Sequence, residues 1–292
     1  MTPCSLCPRK CGSIRPAGVC RSIENPVVMR AAPHYGEEPV ITGTMGSGAV
    51  FFAGCNLHCV FCQNHEISHS SGDREGKTPR ELADIFLRLQ DDRVHNINLV
   101  TGTHYADKIA EALSLARLSI PVVWNSSGYE SVETLKRLDG LVDVYLPDFK
   151  FSDSALAAKY CHAPDYPETA LEAIKEMYRQ VGEFEVDDYG IMRKGLLIRH
   201  LVLPGSPENT LGVIDRIEDN LPAKKIMFSL MAQYTPMPGL ENYPELQRRV
   251  TKEEYDRCLS YLDFSEIENG FTQEPEAATD EMIPDFDGTG VN

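Results

Sequence analysis

Six short, almost continuously apolar segments alternate with amphipathic segments between residues 48 and 262, and this alternation restricts the chain to few folds. Apolar runs of this kind are typical of parallel strands that are covered on both faces. The six runs are AVFFAG (49–54), NINLVT (96–101), PVVWNS (121–126), VDVYLP (142–147), LLIRHLVL (196–203) and KIMFSLM (225–231).

Helical segments separate these runs. The capping boxes at 78–81 and 251–254 each predict the start of a helix, and the first also has proline at the first helical position. Six strand–helix units in series predict an α/β fold with a parallel sheet. Six units are too few for a closed eight-stranded barrel, so we expect an open partial barrel; a doubly wound sheet fits the periodicity equally well. Further helices are predicted over 105–118, 130–138, 167–181 and 208–219, and a loop over 182–195.

The chain of 292 residues carries a formal net charge of −16, which argues against nucleic acid as a main partner because an acidic surface repels phosphates. No Lys or Arg follows Arg257, and the acidic end, residues 273–292, is predicted to be disordered. No apolar run reaches the roughly 18 residues that a membrane span needs. The N-terminus lacks the apolar centre of an export signal, so we expect a cytoplasmic protein.

Nine cysteines need an explanation, and seven of them precede residue 63. In a cytoplasmic chain, closely spaced cysteines favour metal ligation over disulfides. Cys55, Cys59 and Cys62 follow the first apolar run directly, and thiolates are soft ligands that suit zinc or an iron–sulfur cluster. A zinc site would take a fourth ligand such as His58 or His65, whereas a cluster held by three cysteines keeps one iron open to a ligand. Cys161 and Cys258 are interpreted as ordinary buried cysteines.

The spacing Cys55-x3-Cys59-x2-Cys62, with Phe61 before the last cysteine, resembles the signature of the radical S-adenosylmethionine (SAM) superfamily. The phrases GCNLHCVFCQNHEIS and DVYLPDFK resemble its pyruvate formate-lyase activating enzyme-like subgroup of the PflX type. The resemblance implies a [4Fe–4S] cluster on the three cysteines, reductive cleavage of SAM, and hydrogen abstraction from a substrate. It also implies a reductant such as flavodoxin or ferredoxin.

The same resemblance implies a partial (β/α)6 TIM-like barrel with a Cys-rich N-terminal extension. We expect a loop-rich extension over 1–45, a radical SAM core over 46–272 and the acidic tail over 273–292.

SAM-binding residues are implied at the ends of the strands, where parallel α/β folds bind ligands. Asp148 is expected to bind the ribose, and Lys150 and Arg199 to bind the carboxylate of SAM. Phe61 is expected near the adenine, with core packing as the alternative. Gly102 lies in Thr101-Gly102-Thr103-His104. This segment departs from the family's Gly-Gly-Glu motif because it has no carboxylate. Gly102 either lets the backbone approach SAM or forms a tight turn.

Four further cysteines, Cys4, Cys7, Cys11 and Cys20, precede the core. Four thiolates suit either a tetrahedral zinc site or a second iron–sulfur cluster, and the spacing does not choose between them. The alternative is that some of them are free thiols.

Three functions fit these observations. The first is hydrogen abstraction from a glycyl radical enzyme or another protein or peptide, and the second is radical chemistry on a small metabolite. The third is a non-catalytic, Cys-rich module that binds metal or nucleic acid. The negative charge and the polar strand ends at Asp148, Lys150 and Arg199 argue against this third function.

Overall fold

One open, mostly parallel sheet organises the molecule, and the computed structural model describes residues 4–70, 73–273 and 284–291 of the chain. The six apolar runs all form strands, which confirms that part of the prediction. The strands are β1 (Val28–His34), β2 (Ser47–Phe52), β3 (Ile97–Val100), β4 (Val122–Ser126), β5 (Val144–Pro147), β6 (Glu185–Val186), β7 (Met192–Leu201), β8 (Met227–Met231) and β9 (Gly270–Thr272).

The strands lie side by side in the order β1-β2-β3-β4-β5-β7-β8-β9, and β6 pairs with β7. All the ladders from β2 to β9 along this path are parallel, whereas β1 runs antiparallel to β2. Within the described ranges no ladder joins β1 to β9, so the sheet is open. The strands follow chain order without the reversal of a doubly wound sheet, which leaves the predicted partial barrel as the better description.

Helices follow most of the parallel strands. Both predicted capping boxes are present: the hydroxyl of Thr78 accepts from the Glu81 amide at 3.3 Å, and that of Thr251 from the Glu254 amide at 3.2 Å. None of the helices in the described part of the chain is long and apolar enough to cross a bilayer. The helices are α1 (Pro39–Thr42), α2 (His65–Ser68), α3 (Pro79–Asp91), α4 (Ala106–Ala116), α5 (Val132–Leu135), α6 (Ser154–Cys161), α7 (Tyr166–Val181), α8 (Pro207–Asn220) and α9 (Lys252–Asp263).

The two faces of the sheet are covered differently. On the outer face, α3 packs Leu82 and Phe86 against the β3 residues Ile97 and Leu99 in the main core. On the inner face, Ile41 of α1 packs in a second cluster with strand residues that include Val123, Val144 and Leu197. The short segment around α1 therefore closes the inner face near the start of the strands, and a cavity remains at their carboxyl ends.

Two segments that the sequence predicts as loops contain strands. Residues 28–34, predicted as part of a loop-rich segment, form β1, where Val28 is fully buried. The predicted loop 182–195 contains β6 and the start of β7. Both errors have one cause, because these segments are ordered by pairing with a neighbouring strand and lack a periodicity of their own. The division of the chain into three parts stays a prediction.

The acidic end of the chain returns to the edge strand β1. The Ala31 amide donates to the Thr289 carbonyl at 2.9 Å, and the Gly288 amide to the Met29 carbonyl at 3.1 Å. Phe286 is buried with its ring edge-on to Phe51, at 5.5 Å between centroids. The predicted disorder is therefore wrong for 284–291, which cover a sheet edge that would otherwise be open to other chains. For 274–283 and 292 it lies outside the described residues.

Candidate active site at the carboxyl ends of the strands

A cavity of about 210 Å³ lies at the carboxyl ends of β2 to β8. Its walls are built by segments that are far apart in the chain, from His34 to Pro284. Parallel strands place their carboxyl ends at one edge of the sheet, so the residues that follow them converge. Seven predicted site residues line the cavity together: Cys55, Cys59, Phe61, Cys62, Asp148, Lys150 and Arg199.

The three thiols lie in a buried loop, residues 53–64, which we call the cysteine loop. Gly54 opens it with φ +84°, and a Cβ at this position would lie 2.5 Å from the Cys20 carbonyl oxygen. Only glycine fits this turn, because it combines a left-handed backbone with close contact to another segment. The turn brings Cys55 into the cavity three residues after the end of β2.

Burial raises the pKa of the Cys55 thiol to about 12 and that of Cys62 to about 11, with a smaller contribution from the neighbouring thiols. The pKa of Cys59 is also raised well above its ordinary value, first by its contact with the neighbouring Cys161 thiol and then by burial. The thiols are therefore neutral without a metal. Bound iron would stabilise their thiolates, because a metal cation deprotonates a coordinating thiol. Three buried sulfur donors in one cavity thus fit an iron–sulfur cluster.

A buried ion network lies across the cavity from these thiols. Asp148 accepts from Lys150 Nζ at 2.6 Å through Oδ2 and from Arg199 Nε at 2.9 Å through Oδ1. The Arg199 guanidinium also donates to Glu37 at 2.7 Å and to the Asn125 side-chain oxygen at 2.7 Å. Residues from β4 and β7, from the segment after β5 and from the segment before α1 thereby share one hydrogen-bond network, which fixes their positions.

The network keeps its members ionised. Burial alone would raise the pKa of Asp148, but the charges of Arg199 and Lys150 outweigh it and hold the pKa below its usual value. Burial would likewise lower the pKa of Lys150 and Arg199, and the Asp148 carboxylate raises both. The cavity therefore presents a carboxylate between two cations. The carboxylate is suited to bind hydroxyl groups of a ligand, and the two cations are suited to bind a ligand's carboxylate.

Phe61 and Gly102 are placed differently from these residues. Phe61 lines the cavity and also packs edge-on against Phe151 and Tyr160, at 6.2 Å between centroids in each case. Gly102 is not among the lining residues, and a Cβ there would lie 2.8 Å from the side chain of Ile109. Its neighbour Thr101, with φ +61°, lines the cavity instead. The binding role assigned to Gly102 stays a prediction.

Two acidic residues at this site were missed from the sequence. Glu37 contacts Arg199, and Glu130 supports the turn after β3 by accepting from the Thr103 hydroxyl at 2.7 Å and from the Trp124 indole at 3.1 Å. Glu130 is 1% exposed, and its Oε2 has no partner among the described residues. Neither acid belongs to a recognisable local motif, because each finds its partners on other strands.

In the N-terminal segment, burial raises the pKa of Cys7 to about 12, and the thiols of Cys20, Cys4 and Cys11 add to this rise. Among residues 4–70, 73–273 and 284–291, however, no three His, Cys, Asp or Glu side chains converge on a single metal ion. The binding of zinc or of a second cluster by this segment stays a prediction.

Arg9 lies between Cys7 and Cys11 in the chain. It joins the N-terminal segment to the cysteine loop. Its guanidinium donates to the Asn56 carbonyl at 2.9 Å, to the Leu57 carbonyl at 3.2 Å and to the Cys161 carbonyl at 2.8 Å. The segment thus holds the cysteine loop against the end of α6.

Glu130→Gln is expected to remove a pH dependence of stability that this buried acid causes. Burial raises the pKa of Glu130 from 4.5 to about 7, so the folded state favours the protonated form. Its contribution to the free energy of unfolding, about 3 kcal/mol, is complete below pH 4.5 and is lost as pH rises through 7. The free energy of unfolding of the variant, relative to the wild type, should therefore increase from about pH 5 to pH 8 in urea titrations.

Glu133→Gln is the matched control, because Glu133 is an exposed acid on the adjacent α5 whose pKa is lowered. Its free energy of unfolding relative to the wild type should stay constant over the same pH range. Parallel pH profiles for the two variants would contradict the role of Glu130.

Comparisons with known proteins agree on the family. The model of the radical SAM superfamily matches residues 49–217. Uncharacterized protein MJ0674 of Methanocaldococcus jannaschii is 34% identical over 267 residues, which cover 88% of this chain and 73% of that protein.

Solved structures support the fold alone. Streptococcus suis SuiB bound to precursor peptide SuiA superimposes with a TM-score of 0.51 at 16% identity, over 75% of this chain and 46% of SuiB, so the chain spans about half the length of that protein. A domain of pyruvate-formate lyase-activating enzyme from Bacteroides vulgatus has a TM-score of 0.38 at 16% identity, over 67% of this chain and 91% of that domain. The second value is too low to support a subgroup. On the match of the family model, this chain belongs to the radical SAM superfamily.

Proposed function

We propose that Cys55, Cys59 and Cys62 hold a [4Fe–4S] cluster beside a SAM site, and that the protein abstracts hydrogen from a protein or peptide substrate. One observation carries this proposal: the three motif thiols and the Asp148, Lys150 and Arg199 network line the same cavity. The cluster and SAM, when bound and reduced, supply a 5′-deoxyadenosyl radical. The remaining steps belong to the residues of the chain.

Asp148 is the proposed ligand of the ribose hydroxyls. Because Lys150 and Arg199 lower its pKa, it stays an acceptor of hydrogen bonds at neutral pH. The two cations are the proposed partners of the SAM carboxylate, and their mutual contact with Asp148 holds them in place before the ligand arrives. Phe61 would offer an apolar ring edge to the adenine.

The cavity encloses about 210 Å³, less than the roughly 300–1,000 Å³ of pockets that bury a whole small ligand. SAM would therefore extend to the mouth of the cavity, where a chain segment of another protein is able to reach it. The resemblance to glycyl-radical activating enzymes points to the same class, and flavodoxin or ferredoxin is the proposed reductant. Chemistry on a small metabolite is the alternative.

Cys59→Ala is expected to abolish SAM cleavage, because the exchange removes one of the three protein ligands of the cluster. The test is anaerobic reconstitution with iron and sulfide, reduction, addition of SAM and measurement of 5′-deoxyadenosine. Cys258→Ala, which removes a buried thiol that lies in α9, should cleave SAM like the wild type. Wild-type protein that binds stoichiometric zinc and no cluster, or a Cys59→Ala variant that still cleaves SAM, would contradict the proposal.

Asp148→Asn is expected to weaken SAM binding about tenfold or more while the cluster is retained. The exchange keeps the shape of the side chain but removes its charge, and a hydrogen bond to a charged group contributes about 1.5–3 kcal/mol, where 1.4 kcal/mol corresponds to tenfold. Anaerobic calorimetry on the cluster-loaded protein measures the Kd. Asp107→Asn, at an exposed ion pair with Arg137, should leave the Kd unchanged. An equal Kd for Asp148→Asn and the wild type would refute the assignment.

The substrate class is tested through the fate of the abstracted hydrogen. Reduced protein and SAM are incubated with an extract of deuterium-labelled cells that naturally make this protein, separated by ultrafiltration into large and small molecules. We expect deuterium to appear in 5′-deoxyadenosine with the macromolecular fraction, because the substrate meets SAM at the mouth of the cavity. Deuterium that comes from the small-molecule filtrate alone would favour the metabolite alternative.

A further inference from the structure

Each thiol of the cysteine loop has a hydrogen-bond donor beside it, and these three donors are chemically different. The Leu57 amide donates to Cys55 Sγ at 3.3 Å, and the Ser68 hydroxyl to Cys62 Sγ at 3.3 Å. The third donor is the thiol of Cys161, whose Sγ lies 3.2 Å from Cys59 Sγ. When Cys59 is a metal-bound thiolate, Cys161 carries the proton of this pair and is therefore the donor. The other two donors lie in the cysteine loop or just after it in the chain. Cys161 comes from a distant segment and is the last residue of α6.

The contact between Cys161 and Cys59 is fixed by the backbone on both sides. The Val60 amide donates to the Tyr160 carbonyl at 2.9 Å, which ties the cysteine loop to the last turn of α6. Arg9 bridges the Leu57 and Cys161 carbonyls. Cys161 itself is fully buried, so its thiol is held against Cys59 away from water.

A hydrogen bond to a cluster sulfur affects how easily the cluster accepts an electron. The reduced cluster carries one more negative charge, part of it on the sulfurs, so a donor stabilises the reduced state more than the oxidised one. In a buried site no water replaces a lost donor, and the effect is not screened.

We propose that Cys161 is a positioning residue of the cluster that donates a hydrogen bond to the Cys59 sulfur and thereby raises the reduction potential of the cluster. This inference rests on the proposed function, since it requires that Cys59 is a cluster ligand. It assigns a role to a cysteine that the sequence alone marks as an ordinary buried thiol, and it places that role at the electron-transfer step.

The test is a redox titration of the reconstituted protein, without SAM, followed by electron paramagnetic resonance. Cys161→Ala should shift the midpoint potential to a more negative value, because the donor is lost. Cys161→Val, which also lacks a donor but fills more of the volume, should shift it in the same direction. Cys161→Ser should return the potential towards the wild-type value, because its hydroxyl donates. Cys258→Ala, the second fully buried cysteine, should match the wild type.

Failure of this inference is separable from failure of the proposed function. Wild-type protein that takes up no cluster overturns both. A wild-type cluster whose potential is the same in Cys161→Ala and Cys161→Val overturns the inference alone. A Cys161→Ser potential that matches the donor-free variants would show a packing effect and would also overturn it. So would a Cys161→Ala variant that takes up fewer iron atoms than the wild type under the same reconstitution, since that would indicate that Cys161 is itself an iron ligand.

Discussion

A cation buried among strands has to be paired, and in this molecule Arg199 meets that requirement by joining four segments of the chain. Its guanidinium contacts Asp148 after β5, Glu37 before α1 and Asn125 on β4. An unpaired charge in this position would cost several kcal/mol. The network is complete only when these segments come together on the inner face of the sheet. The same interaction that stabilises this arrangement therefore also places Asp148 and Lys150 at the cavity.

The cysteine loop depends on a second set of contacts, which come from the N-terminal segment and from α6. The N-terminal segment reaches it through Arg9 and through the Cys20 carbonyl that packs on Gly54, and α6 reaches it through the backbone bond to Val60 and the thiol of Cys161. Burial raises the pKa of Cys55 and Cys62, and the contact with Cys161 together with burial raises that of Cys59, so the three thiols are neutral in the absence of metal. A cluster proposed at this place would therefore be surrounded by fixed protein dipoles.

Features of the fold that depend on residues close together in the chain were predicted from the sequence, and features that depend on distant segments were not. The six parallel strands and the two capping boxes were predicted correctly, because burial on both faces and local capping leave a pattern within a few residues. The strand β1 and residues 284–291 were missed, because each is ordered by pairing with a distant segment. At the site, the residues after strand ends were found from topology, whereas Glu37 and Glu130 were not, since their partners lie on other strands.

The sequence by itself determined the α/β class, the six strands and the cysteine motif, because the hydrophobic period and the ligand spacing are local properties. It also indicated that Asp148, Lys150 and Arg199 converge, because parallel strands end at one edge of the sheet. Only the tertiary structure decided that these three side chains form one ion network with Glu37, that Gly102 faces the core, and that Cys161 donates to Cys59. These contacts join residues up to 162 positions apart, and their geometry depends on how the strands and the N-terminal segment pack.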